Sequence, residues 1–282
     1  MKWLPLTCFG LWLSTFSLHA TPLFWTAEKA GTQLMLLGSI HVGREDLYPL
    51  PKPVMQFLSS SDAIVVEADI HSSPQLDYPN QQRTEQWLTK PQITQLKHIA
   101  QQIELNPKTL LALPPWRSAI LLQYSQLKKL GYQVELGIDH YLIERAQDEQ
   151  IPVIGLESAQ QQLDMLANSE DEGLNLLLSA IEDFTTTPSR LKLLVQAWKN
   201  GNAKQLQRLS DAQSLPDTLQ HTLLYERNQR WAKELSDPDN FTSGNRYLVV
   251  VGALHLLGPN NLLDYLEQHG YTLSAPNSTS PN

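Results

Sequence analysis

Short apolar runs alternate with longer amphipathic stretches along the chain. Three runs rich in Val and Ile are continuous, which is typical of strands buried on both faces of a parallel sheet. They lie at residues 63–66, 151–154 and 247–251. Two further apolar segments, residues 23–26 and 33–37, flank Glu28-Lys29-Ala30-Gly31. They predict a β-hairpin with Gly31 in its turn.

Helical segments fill the spaces between the predicted strands. A proline opens the segment 115–129 and Gly131 follows its end, which is the usual arrangement at helix termini. Residues 139–150 and 259–270 predict two more helices, and residues 270–273 predict a final edge strand. Between about residues 158 and 236 the pattern indicates several helices in succession, with breaks near Gly173, Pro188, Gly201 and Pro216.

This alternation predicts an α/β fold. We expect a central, mainly parallel sheet, or two sheets in related halves, with the helical insert at about residues 158–236. The domain spans residues 21–273. Residues 274–282 are polar and rich in Pro and Ser, so they predict a disordered tail.

The first 20 residues predict a secretory signal peptide. Met1-Lys2 is a short basic start, residues 3–18 are almost entirely apolar or small, and Ala20 offers a small residue at the cut. The alternative is a membrane anchor, which needs about 20 apolar residues and charge on its second flank. We therefore expect an exported protein, in the bacterial periplasm, with no stable membrane span after signal removal.

Composition narrows the classes of function. The formal charge is −8, from 21 Lys and Arg against 29 Asp and Glu, and we find no basic cluster. This argues against nucleic acid as a partner, because a phosphate backbone demands a basic face. The single Cys excludes a disulfide framework, a Cys-ligated zinc site and an iron–sulfur cluster.

Two segments far apart in sequence resemble each other. Residues 36–41 and 250–255 each read as a buried strand followed by Gly-x-x-His, with glycines Gly38 and Gly252. The strand at 63–66 leads to Glu67, and the strand at 151–154 leads to Glu157. Because the carboxyl ends of parallel strands share one edge of a sheet, we expect the two histidines and two carboxylates to converge there.

Two imidazoles and a carboxylate are a familiar ligand set for a catalytic divalent metal. The sequence therefore predicts a site at His41, Glu67 and His255. This prediction is wrong if the two imidazoles lie more than about 10 Å apart, because one metal ion cannot then bind both rings. The alternatives are ordinary hydrogen-bonded histidines at strand ends, a solvent-facing Glu67, and a Glu157 that caps the helix beginning near Ser158.

Two further polar residues lie in a predicted helix, Pro216 to Leu235. Arg227, which precedes Asn228, could clamp a carboxylate or stabilise a developing oxyanion; alternatively it belongs to a solvated charge patch. The chain has no His-Glu-x-x-His, no Walker-type loop and no Gly-x-Ser-x-Gly elbow. The remaining candidate nucleophile for a hydrolase is water, activated either by a metal or by a His–Glu pair.

The ordered set of short motifs resembles the TraB/PrgY/GumN family, which includes the TIKI metalloproteases and is distantly similar to the ChaN and erythromycin-esterase groups. The matching segments, within residues 24–272, are 37–41, 65–67, 115–116, 137–142, 155–157, 226–228 and 251–256. The resemblance implies a metal-dependent hydrolase, with peptide cleavage and Mn²⁺ or Co²⁺ in the TIKI proteins; Zn²⁺ is a third candidate metal.

Carried over to this sequence, the resemblance makes His41 and His255 metal ligands or bases. Glu67 is a ligand or orients His41, Glu157 supports the ligands or acts as acid and base, and Arg227 and Asn228 position a peptide or small-molecule substrate. The resemblance also allows a non-catalytic protein that binds haem, metal or a peptide signal. A metal-free His–Glu esterase is the third hypothesis.

Overall fold

The computed structural model describes residues 22–69, 74, 75, 78, 80–211 and 217–274, with only the backbone of residues 217 and 218. The predicted signal peptide and residues 275–282 of the predicted tail lie outside these residues. Within the described part, no helix is both long enough and apolar enough to cross a membrane.

Six strands form one mixed sheet with the spatial order β4-β3-β5-β2-β1-β6. The strands are β1 Phe24–Lys29, β2 Thr32–Ser39, β3 Ala63–Ala68, β4 Val153–Glu157, β5 Arg246–Gly252 and β6 Thr272–Ser274. The four strands β4, β3, β5 and β2 run parallel, whereas β1 and β6 pair antiparallel. The predicted α/β fold with a mainly parallel sheet is thus confirmed.

Helices cover both faces of this sheet. They are α1 Lys52–Ser59, α2 Thr84–Trp87, α3 Lys90–Gln102, α4 Pro107–Ala112, α5 Pro115–Lys129, α6 Ile138–Asp148, α7 Ala159–Ala167, α8 Leu174–Glu182, α9 Thr187–Lys199, α10 Ala203–Asp211, α11 Asp217–Gln220, α12 Glu226–Leu235 and α13 Leu262–Gln268. A π-helical turn, His221–Tyr225, precedes α12, and 3₁₀ turns occur at Glu45–Leu47 and Ala253–Leu256.

Three apolar clusters hold the layers together. One face of the sheet packs on α1, α6 and α9, and the other packs on α12 and α13. A third cluster lies among the helices α3, α4, α5 and α8. The continuous apolar run of β5 explains its central position, because Leu248 and Val250 face the first cluster while Val249 and Val251 face the second.

The two Gly-x-x-His strands, β2 and β5, are direct parallel neighbours. Gly38 pairs with Val251 and Ser39 pairs with Gly252, so the two motifs are offset by one residue. Beyond β2 the chain continues as a loop, whereas beyond β5 it enters the 3₁₀ turn. Both histidines therefore emerge at the same edge of the sheet, as the sequence predicted.

Local backbone conformations explain where the boundaries differ from prediction. β4 begins at Val153 rather than at residue 151, and it ends at Glu157. The later start follows the turn at Gln150, which has a positive φ of 59°, and Pro152 has no N–H to donate to a neighbouring strand. The last helix begins at Leu262, not at residue 259. Its start is set by Asn261, whose side chain accepts from the Asp264 N–H at 3.0 Å.

The structure also tests two predictions at the ends of the domain, the first hairpin and the boundary of the tail. The predicted hairpin between β1 and β2 is present with Gly31 in its turn, and the turn has only two residues, Ala30 and Gly31, with φ of 49° and 87°. Ser274 belongs to the edge strand β6 rather than to the tail, because it pairs with Thr26 of β1.

We predict that Gly137→Ala destabilises the fold and shifts the His41 loop. A Cβ at Gly137 would lie 2.6 Å from the carbonyl oxygen of His41, which is backbone and cannot rotate away. The free energy of unfolding, measured in urea, should fall by about 1–3 kcal/mol. The exposed helical substitution Gln95→Ala serves as control and should stay within about 0.5 kcal/mol. Equal stability of both variants would contradict the close approach.

Candidate active site

Four strands bring the predicted residues to one edge of the sheet. Glu67 is the fifth residue of β3 and Glu157 is the last residue of β4. His41 follows β2 by two residues, and His255 lies in the 3₁₀ turn directly after β5. Residues separated by more than 200 positions in the chain thus share one site, for the topological reason that the sequence suggested.

Glu67 is the centre of the site, and its carboxylate is almost fully buried. Its Oε1 accepts the N–H of Gly252 at 2.6 Å. The same oxygen lies 3.6 Å from Nε2 of His255 and 3.9 Å from Nε2 of His41. Both imidazoles therefore approach one oxygen, and their separation is well below the 10 Å at which a shared ion is impossible.

A buried guanidinium closes the other side of Glu67. Nη2 of Arg227 donates to Glu67 Oε2 at 2.6 Å, and Nε donates to Glu157 Oε1 at 2.9 Å. Nη1 donates to the carbonyl of Leu223 at 3.0 Å, and the guanidinium lies 4.4 Å from the ring centroid of Trp231. Arg227 is only 7% exposed, so the solvated charge patch is excluded.

Glu157 acts as an anchor for arginines. Its side chain is fully buried, and Oε1 also accepts from Gln162 at 3.0 Å, while Oε2 accepts from Arg230 at 2.6 Å. The helix cap that could have explained Glu157 is supplied by its neighbour: Ser158 Oγ accepts from the N–H of Gln161. Glu157 therefore holds cations in place instead of capping α7.

Asn228 fixes the ring of His255. The amide oxygen of Asn228 lies 2.6 Å from Nδ1 of the ring, and its nitrogen donates to the carbonyl of Asn260 at 2.9 Å. An amide oxygen only accepts, so Nδ1 carries the proton and Nε2 presents its lone pair, which accepts from Nη1 of Arg227 at 3.2 Å. Burial of the ring, with Arg227 and His41 nearby, lowers the pKa of His255 to about 3.

Sequence reasoning missed Asp139, the partner of His41. Asp139, in the first turn of α6, places Oδ1 3.3 Å from Nδ1 of His41. Close backbone contact makes this possible: Gly137 lies against the His41 carbonyl, and the N–H of Ile138 donates to Ile40 at 3.0 Å. In the sequence, Asp139 was indicated only by the matching segment 137–142. No role was assigned to any side chain of that segment.

The charges of His41 and Glu67 stabilise each other across the site. Desolvation favours the neutral ring of His41, but Asp139 and Glu67 outweigh it and raise the pKa of His41 to about 9. Solvent screens part of this attraction, because 55% of the His41 side chain is exposed. Desolvation works against the charged form of Glu67 as well, yet His255, His41 and Arg227 lower its pKa to about 2.

His41 lies in a groove of about 350 Å³. The lining also includes Glu67, Arg227 and several apolar side chains, among them Tyr124 and Val134, which are 44% and 41% exposed. Asn228 is not part of this lining. Of the two residues predicted to position substrate, only Arg227 reaches the groove, and its nitrogens contact other side chains of the site.

The chemical types of the three candidate ligand atoms, two imidazole nitrogens and one carboxylate oxygen, suit a divalent cation. In the part of the chain that the structure describes, no three His, Cys, Asp or Glu side chains are close enough as they stand to hold an ion. Both distances to Glu67 Oε1 are nevertheless below about 4.2 Å, the largest separation of two donors that each lie about 2.1 Å from one ion.

The space between these donors, beside Gly252, is narrow. A Cβ placed on Gly252 would lie 3.2 Å from Glu67 Oε1 and 3.5 Å from His41 Nε2. The residues therefore fit an ion only after a contraction, once Nη1 of Arg227 has left the Nε2 of His255 and Nε2 of His41 has lost the proton that its raised pKa favours. The tautomer of His255 set by Asn228 is the one that metal ligation at Nε2 requires.

We predict that the metal-free protein loses stability as the pH falls below 6.5. The unfolded chain protonates His255 near 6.5, whereas the folded chain resists protonation down to about 3, so the unfolded state binds more protons in this window. Glu67 adds a loss between 4.5 and about 2. Urea unfolding at pH 7, 6 and 5 should show a slope approaching about 1.4 kcal/mol per pH unit.

The matched variant for this prediction is His255→Gln, which removes the titrating ring. Its stability should be nearly flat between pH 6.5 and 5. Parallel curves for the wild type and the variant would show that the buried imidazole is not the cause.

Comparisons with known proteins agree with the ordered motifs. The family model for TraB/PrgY/gumN matches residues 23–275. The chain is 33% identical over 255 residues to the uncharacterized protein YbaP of Escherichia coli (strain K12), covering 89% of this chain and 95% of that protein. It is 34% identical over 229 residues to YbaP of Shigella flexneri, covering 80% and 85%. No solved structure matches the chain. The chain therefore belongs to the TraB/PrgY/gumN family.

Proposed function

We propose that this protein is an exported, divalent-metal-dependent hydrolase that acts on peptides. The observation that carries the proposal is the approach of both Gly-x-x-His imidazoles to one oxygen of Glu67, at 3.6 and 3.9 Å, beside an open groove. Mn²⁺, Co²⁺ and Zn²⁺ are the candidate metals. When bound, such an ion polarises a carbonyl group and lowers the pKa of water.

The residues around the three donors divide the remaining tasks. Asn228 holds the Nε2 lone pair of His255 toward the site, and Asp139 orients His41 through its other nitrogen. Arg227 keeps Glu67 ionised and fixed, because its guanidinium and the Gly252 N–H occupy the two carboxylate oxygens. Glu157 acts through Arg227 and is a positioning residue.

The groove provides for substrate binding and partial exclusion of water. His41 lies at its open side, so a scissile bond can approach the donors from solvent. The apolar side chains of Tyr124, Val134 and Leu223 line the approach and favour a substrate with apolar groups near the reacting bond. This lining supports a peptide better than a fully polar small molecule.

We predict peptide hydrolysis that disappears on chelation and returns with Mn²⁺, Co²⁺ or Zn²⁺. A mixture of peptides from a digested proteome, followed by mass spectrometry, tests many peptide sequences in one assay. His41→Ala, His255→Ala and Glu67→Gln should each lower the rate at least about 100-fold, because each removes a ligand. His98→Ala, an exposed histidine on α3, is the matched control and should retain the full rate.

Other outcomes identify the competing hypotheses. Hydrolysis that survives chelation but is lost in His41→Ala would point to a metal-free His–Glu esterase. Stoichiometric binding of metal, haem or peptide without any product would point to a binding protein. Hydrolysis that persists in both histidine variants would contradict the site altogether.

Export is the second part of the proposal and rests on the basic start and apolar run of residues 1–20. We predict that the full chain, expressed in a Gram-negative bacterium, is recovered in the periplasmic fraction and begins at Thr21. N-terminal sequencing of the fractionated protein measures both. A protein that retains Met1 and fractionates with the cytoplasm would contradict export.

A further inference from the structure

Three cavities follow one another along the surface that begins at His41. The first is the active-site groove already described. The second, here the middle cavity, has a volume of about 560 Å³ and shares Tyr124 and Val134 with that groove. The third, here the basic cavity, has a volume of about 700 Å³ and shares Tyr132 with the middle cavity.

The two side chains shared by the first two cavities, Tyr124 and Val134, are exposed to solvent. Among the described residues, Tyr124, Val134 and Leu193 are the large hydrophobic side chains with exposed fractions above 40%. Two of these three lie between the active-site groove and the middle cavity. Exposed apolar side chains concentrated beside a candidate active site indicate a binding surface more than chance exposure. A chain-like ligand can pass over them from one cavity to the next.

The basic cavity has the opposite charge to the protein as a whole. Arg44, Lys192 and Lys199 line it against a single carboxylate, that of Asp46. Asp46 forms ion pairs with two of these cations: its Oδ1 lies 3.2 Å from Arg44 Nε and its Oδ2 lies 3.2 Å from Lys199 Nζ. Within the described residues no carboxylate lies within 4 Å of the ammonium of Lys192. The cavity therefore carries an excess of about two positive charges in a chain of net charge −8.

The fold sets the backbone positions from which these cations extend. Lys192 and Lys199 lie two turns apart on α9, which packs on the sheet through Trp198 and Val195. The guanidinium of Arg44 lies 5.4 Å from the ring centroid of Tyr132, which fixes it across the cavity from α9. A positive cavity joined to exposed apolar side chains matches a ligand that is apolar at one end and anionic at the other.

We infer that the three cavities form one extended substrate channel for a peptide that has apolar side chains beside the cleaved bond and Asp or Glu residues farther along. This inference rests on the proposed function for the cleaved bond. The basic cavity itself is independent of catalysis, because none of its lining residues belongs to the site at His41.

The first experiment measures binding without turnover. Rhodamine-labelled hexaglutamate is titrated with the metal-free protein in chelator at low salt, and fluorescence anisotropy is recorded. The rest of the acidic surface repels this probe, so binding must be local. The double variant Arg44→Glu with Lys192→Glu should weaken binding at least about tenfold, and added salt should weaken it further. Lys97→Glu and Lys108→Glu, combined, match the charge change at exposed positions that line none of the three cavities and should change binding by less than about twofold.

The second experiment reads the same contact through cleavage. In the metal-loaded protein, the peptide mixture should show acidic residues enriched on one side of the cleaved bonds. That enrichment should vanish in the Arg44 and Lys192 double variant, while the number of cleaved bonds stays similar. His41→Ala should abolish cleavage but retain hexaglutamate binding.

The outcomes separate the two proposals. If hexaglutamate binds through Arg44 and Lys192 but no peptide is cleaved, the hydrolase proposal fails and the anionic site stands. If both double variants bind the probe equally, or if inorganic phosphate alone displaces hexaglutamate at equal charge concentration, an acidic peptide is not the occupant and the inference is overturned. If cleavage occurs with no preference for acidic residues, the substrate does not extend into the basic cavity. This result would also overturn the inference.

Discussion

The arrangement of the site depends on the burial of one guanidinium. Arg227 joins the carboxylates of Glu67 and Glu157, which come from the neighbouring strands β3 and β4. A buried charge without partners costs several kcal/mol, and the same holds for each carboxylate. Arg230 supplies a second positive charge at Glu157, so two carboxylates face two arginines. Each of the three buried members, Arg227, Glu67 and Glu157, is therefore tolerable only because the others are present.

This ion-pair group also ties α12 to the edge of the sheet. Arg227, Asn228 and Trp231 lie on one face of the helix. Arg227 contacts Glu67 of β3 and Glu157 of β4, whereas Asn228 and Trp231 both contact His255, which follows β5. Trp231 packs against the ring of His255 at 4.5 Å between centroids. The helix thus sets the positions of both Glu67 and His255, although it contributes no candidate ligand of its own.

Much of this geometry follows from the sequence by elementary rules. The apolar run at 63–66 predicts a buried strand, and the parallel arrangement then places Glu67 beside the residues that follow the other strands. The echo between 36–41 and 250–255 predicted two strands in equivalent positions, and β2 and β5 are adjacent. Continuous apolar runs carry this information because only the sheet interior accepts them on both faces.

The contacts between helices and loops could not be predicted in the same way. Asp139 meets His41 because Gly137 and Gly43 let two loops approach closely, and a pattern of apolar positions does not encode that approach. An acidic residue in the first turn of a helix is common for the helix dipole alone, so Asp139 carried no distinct signal. Likewise, the partners of Arg227 and Asn228 depend on how α12 rotates against the sheet, which only the packed structure defines.

The one-residue offset between β2 and β5 gives the repeated motif an unequal outcome. His255, turned inward by the 3₁₀ turn, is 3% exposed and held on both ring nitrogens, whereas more than half of the His41 side chain is open to water. Two copies of one sequence pattern thus occupy unequal positions: the ring of His255 is enclosed by the fold, and solvent reaches the site on the side of His41.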